Sequence, residues 1–423
     1  MIDVLDARRR VVRRLLTRRS GGVVDLSSLE SVPRRLLRPL RRDGLDPVQR
    51  LGAVAPEPVH RLAHMFGMNI WLVSGQAEAR AVLADQGSFS NDIRPFVGTS
   101  GSSIGGLGFT DPPEHGRLRG LLTPEFTMRR INRLAPRIEE IVDAQLEEMH
   151  AAGPVVDLVE KFAFPIPFLV ICELLGLPDE DRDRFRALSH ARFDVSSGAG
   201  AFGAISESQL FLHEAVRRQR AEPGDGLLGR IIAAAGDSVT DEEIAALADG
   251  VFTGGYETTA SMLALGSLVL LRDRRFFDLV RDDDSAIDAV VEEMLRYLTV
   301  VQIAFPRFAK VDLELFGKHI RKGDVVIAAL SRADRDARVG PDLNSFDPRR
   351  PSSPHLAFGH GFHRCVGAEL ARLELRIAFP RLARRFPELA LATAPSNLRF
   401  RDRSIVYAVD SVPVHLGGLP RSS

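Results

Sequence analysis

The strongest chemical signal is one cysteine inside a glycine-rich segment, Phe358-Gly-His-Gly-Phe-His-Arg-Cys-Val-Gly367. Cys365 comes directly before a strong helical pattern over residues 368–378, so the positive end of a helix dipole faces its sulfur and favours the thiolate. The glycines let the loop fold tightly around that sulfur. We therefore predict a functional thiolate at Cys365. The other cysteine, Cys172, lies in an apolar run and is predicted to be a buried, inert thiol.

A second candidate is the pair Glu257 and Thr258, in the segment Gly254-Gly-Tyr-Glu-Thr-Thr259. This segment lies midway along a long helical pattern, where each glycine costs about 1 kcal/mol relative to alanine. Two adjacent glycines there would be a pure cost unless another group must approach the backbone closely. A carboxyl group beside a hydroxyl group can relay protons as a general acid.

Four residues, Phe358, Gly361, Cys365 and Gly367, match the pattern FxxGxxxCxG, and the segment resembles the haem-ligand loop of the cytochrome P-450 superfamily. The resemblance implies that Cys365 is the axial thiolate ligand of a non-covalent haem b, where it donates electron density that favours O–O cleavage. Three further patterns occur in the family's order, so the resemblance extends from about residue 46 to residue 415.

The first of these patterns is the Glu257–Thr258 segment, which looks like the family's oxygen-activation motif. The resemblance implies that the Thr258 hydroxyl hydrogen-bonds dioxygen, the co-substrate, and that Glu257 relays protons from solvent. Gly255 then allows close approach of the haem. Gly254 and Tyr256 stand where alanine and histidine are frequent in the family, which affects mainly the shape of the pocket.

The second pattern is Glu293-Met-Leu-Arg296, which looks like the family's ExxR helix. Residues at i and i+3 share one helix face, so Glu293 and Arg296 can both contact a third side chain. The resemblance implies that this residue is Arg350, at the end of residues 346–350, a segment similar to the family's meander. We expect a carboxylate held between two guanidinium groups as a structural lock. Nearby, Asp334 stands where the family often has asparagine, and we expect only a small local change in hydrogen bonding.

The third pattern concerns the two carboxylates of a haem, which need cationic or hydrogen-bonding partners when buried. His115 and Arg119, spaced i and i+4, match the family's HxxxR clamp for these propionates. Arg307 resembles the third donor, and His363, two residues before Cys365, resembles the fourth.

The resemblance also places the substrate contacts. They come from the loop before Gly108, the long helix, the segment after ExxR and a C-terminal hairpin. The predicted pocket residues are Phe96, Ile104, Leu107, Phe252, Tyr256, Val300, Val301, Ile303 and Ile405. A pocket lined in this way favours a hydrophobic small molecule as substrate.

Helical periodicity dominates the elements that must position these residues. We predict helices over residues 112–126, 131–152 and 166–176, with Asp111 capping the first, and a long helix that starts at a capping box of Thr240 and Glu243 and runs to about residue 271. Strand patterns are few: residues 59–64 and 69–74, which form a hairpin, then 312–316, 325–329 and about 405–408. The predicted fold class is mainly α with a small β portion. By resemblance it is the cytochrome P-450 fold, with a long central helix over a cysteine-ligated haem.

Composition excludes several other classes of protein. The 423 residues are 45% hydrophobic and 26% charged, with 56 basic and 56 acidic side chains, so no overall field favours nucleic acid as a partner. Two distant cysteines exclude a disulfide scaffold. Residues 1–42 contain twelve arginines and four acids, so we predict an arginine-rich N-terminal extension over 1–45 and a haem domain over 46–423. Apolar runs are too short for a transmembrane segment or a signal peptide, and we expect a cytoplasmic monomer.

The predicted function is a haem-thiolate monooxygenase that inserts one atom of O2 into a hydrophobic small molecule, by hydroxylation or epoxidation. The resemblance implies electrons from a separate ferredoxin or flavodoxin, docked by electrostatic steering near the thiolate. The arginines predicted for that face are Arg117, Arg129, Arg130, Arg364 and Arg372. Two alternatives remain open here: a peroxide-driven or oxidative-coupling haem enzyme, and a haem protein that binds ligands without turnover.

Overall fold

The computed structural model describes residues 42–47, 57–65, 67–92, 106–193, 200–351, 354–401 and 404–417. Helices dominate this part of the chain, as predicted, and none of the described helices is long and apolar enough to cross a membrane. The described helices are α1 Gln76–Ala84, α2 Glu114–Leu122, α3 Met128–Ala151, α4 Pro165–Leu175, α5 Asp179–Phe193, α6 Gly200–Ala221, α7 Leu227–Ala235, α8 Asp241–Arg272, α9 Arg274–Asp282, α10 Ile287–Leu298, α11 Leu330–Ala333 and α12 Ala368–Arg385.

The strands are short and form small sheets. They are β1 Arg42–Asp43, β2 Asp46–Pro47, β3 Val59–Met65, β4 Met68–Val73, β5 Phe89–Ser90, β6 Val155–Asp157, β7 Arg307–Ala309, β8 Leu313–Leu315, β9 Lys318–Ile320, β10 Val325–Ala328, β11 Ala390–Leu391 and β12 Pro413–His415. The largest sheet has the order β3-β4-β10-β7-β5, and its β4 and β10 strands are parallel. The predicted hairpin is confirmed as β3 and β4, but residues 405–408 form only an isolated bridge between Val406 and Val301.

Helix α8 runs through two hydrophobic cores. Its N-terminus has the predicted capping box, with Thr240 and Glu243 each bonding the other's backbone N–H. Its first half, up to Tyr256, packs with helices α4 to α7, whereas its second half, from Met262, packs with α3, α10 and α12. The Glu257–Thr258 pair therefore lies where the helix passes from one core to the other.

Helix α2 begins differently from the prediction. Asp111 does not cap it, because its carboxylate accepts hydrogen bonds from the backbone N–H of Asn91, at 2.8 Å, and from the Ser90 hydroxyl. The helix starts at Glu114, after Pro113, without a side-chain cap. Asp111 thus ties β5 to the helix that carries His115.

The hairpin of β1 and β2 packs on the body of the protein. Leu45 is buried in the larger core, and the Tyr407 hydroxyl donates to the carbonyl of Gly44. The Arg42 guanidinium lies 4.5 Å from the centre of the Tyr407 ring and donates to the Gln302 amide oxygen. The predicted boundary between residues 45 and 46 therefore falls inside a packed hairpin, and the packed body includes Arg42. Residues 1–41 lie outside the described residues.

The ExxR lock forms, but Arg296 binds the Glu293 carboxylate much more closely than Arg350 does. Glu293 and Arg296 are buried and bidentate, with Arg296 Nε 2.7 Å from Oε2 and Nη2 2.8 Å from Oε1. Arg350 Nε approaches Oε1 only to 3.5 Å and donates mainly to the carbonyls of Pro341 and Asp342. Arg350 therefore fastens the meander more than it neutralises the carboxylate.

Asp334 joins this lock to the cysteine loop. Its carboxylate lies 2.7 Å from the backbone nitrogen of Leu356 and 2.9 Å from the Thr299 hydroxyl oxygen. That hydroxyl is also 2.8 Å from the carbonyl of Arg296 and has one proton to donate. Burial raises the pKa of Asp334 to about 6, although nearby His355 and Arg296 oppose the rise. The substitution is therefore more than a local change in hydrogen bonding, because it introduces a buried titratable group.

We expect Glu293→Ala to destabilise the protein by about 3–5 kcal/mol, because it leaves buried guanidinium groups without their carboxylate. Urea denaturation measures the change in the free energy of unfolding. Glu140→Ala is the matched control, since Glu140 forms an i,i+3 pair with Arg137 but its side chain is 65% exposed. The control should lose less than about 1 kcal/mol. Equal losses in the two variants would contradict the lock.

Asp334→Asn should stabilise the protein at neutral pH. The carboxyl titrates near 3.8 when unfolded and near 6 when folded, so its contribution to stability falls as the pH rises through that window. Asparagine lacks this loss, and its advantage should reach at most about 3 kcal/mol above pH 6 and vanish near pH 4. Unfolding free energies of both proteins between pH 4 and 8 measure the difference. An advantage that does not vary with pH would argue against a buried titrating carboxyl.

Candidate functional site

The cysteine loop turns tightly in front of helix α12. The Cys365 N–H donates to the carbonyl of Phe358 at 2.9 Å, and Gly359 and Gly361 have φ values of +69° and +71°. A Cβ on Gly361 would lie 2.6 Å from the carbonyl oxygen of Leu83, so this loop presses directly on the end of α1. The predicted position of the cysteine, just ahead of a helix, is confirmed.

The thiol of Cys365 lies deep in the protein and is nevertheless accessible, so it borders an internal open space. Burial raises its pKa, although the Gly367 N–H and the guanidinium groups of Arg364 and Arg119 act in the opposite direction. The expected effect of the helix end is thus present but smaller than the effect of burial. A bound metal cation supplies the charge that makes such a sulfur a thiolate. Cys172 is fully buried, as predicted, and burial raises the pKa of its thiol to about 12.

One face of α8 is open in the middle of the helix. A Cβ on Gly250 or Gly254 would have no neighbour within 4 Å, and both glycines are exposed. Thr258, one turn after Gly254, lies on the same face, and its hydroxyl donates to the Gly254 carbonyl at 2.6 Å. Gly255 instead faces α4, where a Cβ would lie 3.0 Å from Ile171. The glycine on the open face is therefore Gly254, whereas Gly255, the one predicted to allow close approach of the haem, packs against α4.

Phe252 and Tyr256 point away from this open face. Both are buried in an aromatic cluster, with ring centres 5.3 Å apart, and Phe168 and Phe185 pack against them. Burial raises the pKa of the Tyr256 hydroxyl. The prediction that these two residues line the pocket is wrong, because positions two residues from Gly254 lie on the opposite side of a helix. Val251, partly buried near the open face, is the pocket candidate that the helical period indicates instead.

The four predicted propionate donors lie together. The rings of His115 and His363 are 4.2 Å apart, and His363 is close enough to Arg307 and Arg119 for each to lower its pKa. Both ring nitrogens of His115 are buried without a hydrogen-bond partner in the structure. Burial lowers the pKa of His115 to about 4, that of His363 to about 3 and that of Arg307 to about 10.

Within the described residues, one carboxylate, Asp111, favours the charged forms of His115 and Arg307. Four cation-forming side chains beside one acid are an environment that requires anions. Arg119 connects this cluster to the thiol, because its charge acts on both Cys365 and His363. A planar group with two carboxylates and an iron that needs one thiolate fits this arrangement.

The carboxylate of Glu257 is buried and has an ion-pair partner. Its Oε1 lies 3.7 Å from Nη1 of Arg401, which belongs to the C-terminal hairpin. Arg401 also binds Asp410 on the same hairpin, with 2.8 Å between Nε and Oδ1. Sequence reasoning missed this arginine, since no local pattern links it to the long helix.

The remaining pocket candidates come from two paired segments. The N–H of Gln302 donates to the carbonyl of Ile405, and the N–H of Tyr407 donates to that of Val300. This pairing brings together the predicted residues Val300, Val301, Ile303 and Ile405, while Leu107 lies in a short 3-10 turn before α2. Phe96 and Ile104 lie outside the described residues. Phe305, which the prediction omitted, is 44% exposed and packs on Phe109 beside Arg307.

The arginines predicted to meet a redox partner are not equivalent. Arg372 has only 12% of its side chain exposed, because Glu292 and Glu369 bind it and it lies 4.7 Å from the ring centre of Phe358. It therefore supports the cysteine loop, and its prediction as a docking residue is wrong. Arg117, Arg129 and Arg364 are exposed and Arg130 is partly so.

Comparisons with known proteins agree with this site. A model of the family "Cytochrome P450" matches residues 212–394. Cytochrome P450 165B3 of Amycolatopsis orientalis is 40% identical over 392 residues, which cover 89% of this chain and 98% of that protein. Cytochrome P450 monooxygenase PikC of Streptomyces venezuelae is 39% identical over 85% of this chain and 88% of its own. The structure of the P450 StaH, from biosynthesis of the glycopeptide antibiotic A47934, has a TM-score of 0.82 and 40% identity over 89% of this chain and 98% of that one.

These similarities confirm the predicted fold class and the predicted class of enzyme. Members of this family use haem iron and molecular oxygen, and relatives carry the names of monooxygenases and hydroxylases. The alternative of a haem protein without turnover is therefore set aside. With its cysteine loop, its open central helix and 40% identity over nearly the whole of a named relative, the chain belongs to the cytochrome P-450 family of oxygen-incorporating oxidoreductases.

Proposed function

We propose that this protein hydroxylates or epoxidises a hydrophobic small molecule with one atom of O2, while the other atom leaves as water. One observation carries the proposal: the accessible thiol of Cys365 and the group of His115, Arg307 and His363 are linked through Arg119. This arrangement suits haem b, with its single thiolate ligand and two propionates. When bound, the haem supplies the redox chemistry that activates oxygen.

Each residue of the site would then have its own role in the reaction. Cys365 gives the sulfur ligand, and the backbone N–H of Gly367 donates a hydrogen bond to that sulfur. Thr258 presents a hydroxyl on the open face of α8, where it can exchange its bond to the Gly254 carbonyl for one to oxygen. Glu257, the residue immediately before Thr258, supplies protons to that hydroxyl. The apolar side chains of segment 300–303 and Ile405 exclude water around the substrate.

We propose that a separate ferredoxin or flavodoxin supplies the electrons. Arg129 and Arg364 are exposed near the cysteine loop and α3, and they would attract an acidic partner. Two free cysteines suit a reducing compartment, so we propose a cytoplasmic location. We also propose that the protein is a monomer.

A second candidate is oxidative coupling of phenols, in which no oxygen atom enters the product. The similarity to StaH, a P450 from glycopeptide antibiotic biosynthesis, favours keeping this reaction as a candidate. Turnover under ¹⁸O₂ with mass spectrometry separates the two. One heavy atom in the product supports monooxygenation, whereas a product lighter by two hydrogens and free of ¹⁸O supports coupling.

Cys365→Ser should abolish the thiolate spectrum. The reduced, carbon-monoxide-bound protein should show a strongly red-shifted Soret band, which reports thiolate ligation, and the variant should lose it because serine is a poor iron ligand. Cys172→Ala is the matched control, since Cys172 is the buried inert thiol, and it should keep the band. An unchanged band in Cys365→Ser would exclude this residue as the ligand.

Thr258→Ala should keep that spectrum but divert electrons to hydrogen peroxide. Without the hydroxyl, proton delivery fails, and we expect product per electron pair to fall by about tenfold or more. Thr259→Val is the control, because Thr259 is buried on a different face of α8. Oxygen uptake, peroxide and product are measured together with a surrogate ferredoxin. Normal coupling in Thr258→Ala would refute the proposed role.

A further inference from the structure

Residues 299–303, which include part of the proposed pocket wall, are connected to the hairpin of β1 and β2 by one arginine. The Arg42 guanidinium donates from Nε to the side-chain oxygen of Gln302, at 3.2 Å, and from Nη2 to the carbonyl of Thr299, at 3.1 Å. Its Cζ lies 4.5 Å from the centre of the Tyr407 ring. Arg42 therefore contacts this segment at two positions three residues apart and packs on the C-terminal hairpin as well.

The Gln302 side chain joins Arg42 to the C-terminal hairpin. It is fully buried, and its amide nitrogen donates to the carbonyl of Ser404 at 3.1 Å. The backbone N–H of Gln302 donates to the carbonyl of Ile405 at 3.0 Å. A buried amide that loses one of its partners is costly, so the position of Gln302 depends on Arg42.

Thr299 has a strained backbone, and Arg42 is one of the groups that hold it. Its φ of +36° lies in the left-handed region, which β-branched residues rarely adopt. The N–H of Thr299 donates to the carbonyl of Leu295 at 2.9 Å, and its hydroxyl lies 2.8 Å from the carbonyl oxygen of Arg296. Arg42 binds the carbonyl of Thr299, which belongs to the peptide that leads into Val300. Strained conformations persist only where surrounding contacts enforce them, so we expect this peptide to turn when Arg42 is removed.

A turn of this peptide would change the proposed pocket wall. The carbonyl of Val300 accepts a hydrogen bond from the N–H of Tyr407, and Val301 pairs with Val406. Both contacts begin directly after the strained residue. A change at Thr299 therefore shifts the paired segment and the apolar side chains that it carries.

We propose that Arg42 is a positioning residue that determines substrate specificity: it fixes the pocket wall of residues 300–303, so that the pocket accepts apolar molecules of a narrow range of lengths. A rigid wall discriminates between ligands that differ by a few methylene groups, whereas a loose wall adapts to each of them. The inference rests on the proposed function, because that proposal places residues 300–303 around the substrate. Specificity would then depend on a residue that lies before the predicted haem domain of 46–423.

The test measures how imidazole and N-alkylimidazoles with butyl to dodecyl chains bind to the haem-loaded, ferric full chain. All of these probes bind the haem iron through nitrogen and shift the Soret band, and the alkyl chain also contacts the pocket wall. Each dissociation constant is divided by that of imidazole, so that changes at the iron cancel. Each buried methylene raises the affinity by up to about fourfold, until the chain reaches the length that the wall excludes. Thermal unfolding is recorded for each protein.

Two variants of Arg42 separate its contacts. Arg42→Met removes both hydrogen bonds and keeps an apolar chain on the Tyr407 ring. Arg42→Lys keeps the charge but lacks the planar fork that reaches both acceptors. Tyr407→Phe is the matched control, because it removes the hydroxyl that binds the carbonyl of Gly44 and loosens the same hairpin without removing the two hydrogen bonds of Arg42.

We expect the affinity of the parent protein to peak at one chain length. Arg42→Met should reduce the preference for that length over the longest chain by about fivefold or more, with imidazole binding unchanged. Arg42→Lys should show a similar loss, with thermal unfolding close to that of the parent. Tyr407→Phe should keep the parent's preference, whatever its unfolding temperature. Val301→Ala should move the peak to a longer chain, because it enlarges the pocket at this wall.

A parent-like length preference in Arg42→Met or in Arg42→Lys would overturn the inference, as would a parent protein without any peak. An equal loss in Tyr407→Phe would also overturn it, since Arg42 would then only fasten the hairpin. If Arg42→Met does not fold, Arg42→Lys decides by the same criterion. An unmoved peak in Val301→Ala would refute the proposed pocket wall itself, whereas a moved peak there beside a parent-like Arg42→Met would refute only this inference.

Discussion

The physical constraint that dominates this molecule is a set of four cation-forming side chains, buried or partly buried, beside one carboxylate of the described residues. His115, Arg119, Arg307 and His363 each have a pKa lowered by burial, so the protein without an anion pays to keep them there. For His115 the folded pKa lies well below its ordinary value, and stability therefore declines as the pH falls below about 6.5. A bound dianion would reverse this penalty. These four side chains therefore suit an anionic ligand. The Cys365 thiol and the open face of α8 suit the iron and the planar ring of the same ligand.

Two sets of contacts hold the cysteine loop against this cluster. On one side Gly361 leaves no room for a side chain at the end of α1, which fixes the distance between loop and helix. On the other side, the carboxylate of Asp334 accepts a hydrogen bond from the N–H of Leu356, and Arg296 donates to the carbonyl of Asp334. Hydrogen bonds through Arg296 and Asp334 therefore connect Glu293 to the segment that leads into the cysteine loop. Rigid support of this kind is what a metal ligand needs, because its position sets the geometry of the metal.

The sequence predicts correctly the positions of residues that belong to short local patterns. The cysteine loop, the Glu293–Arg296 pair and the capping box at Thr240 depend on neighbours within a few positions, and each lies where the pattern placed it. Phe252 and Tyr256 were predicted in the pocket because they belong to the segment around Gly254. The helical period places both on the opposite side of α8, in the aromatic cluster. Arg401 could not be predicted, since its contact with the long helix exists only after the C-terminal hairpin has folded onto the body.

That hairpin connects parts of the molecule that the chain keeps far apart. Tyr407 binds the N-terminal hairpin through the carbonyl of Gly44, and Val406 pairs with Val301 in the segment that we propose as a pocket wall. The same hairpin carries Arg401 to Glu257, the proposed proton donor. A displacement of this hairpin by a bulky substrate would therefore reach the proposed pocket wall and Glu257 together, since both contact the same hairpin. Substrate fit and proton supply would then share one mechanical support, the C-terminal hairpin.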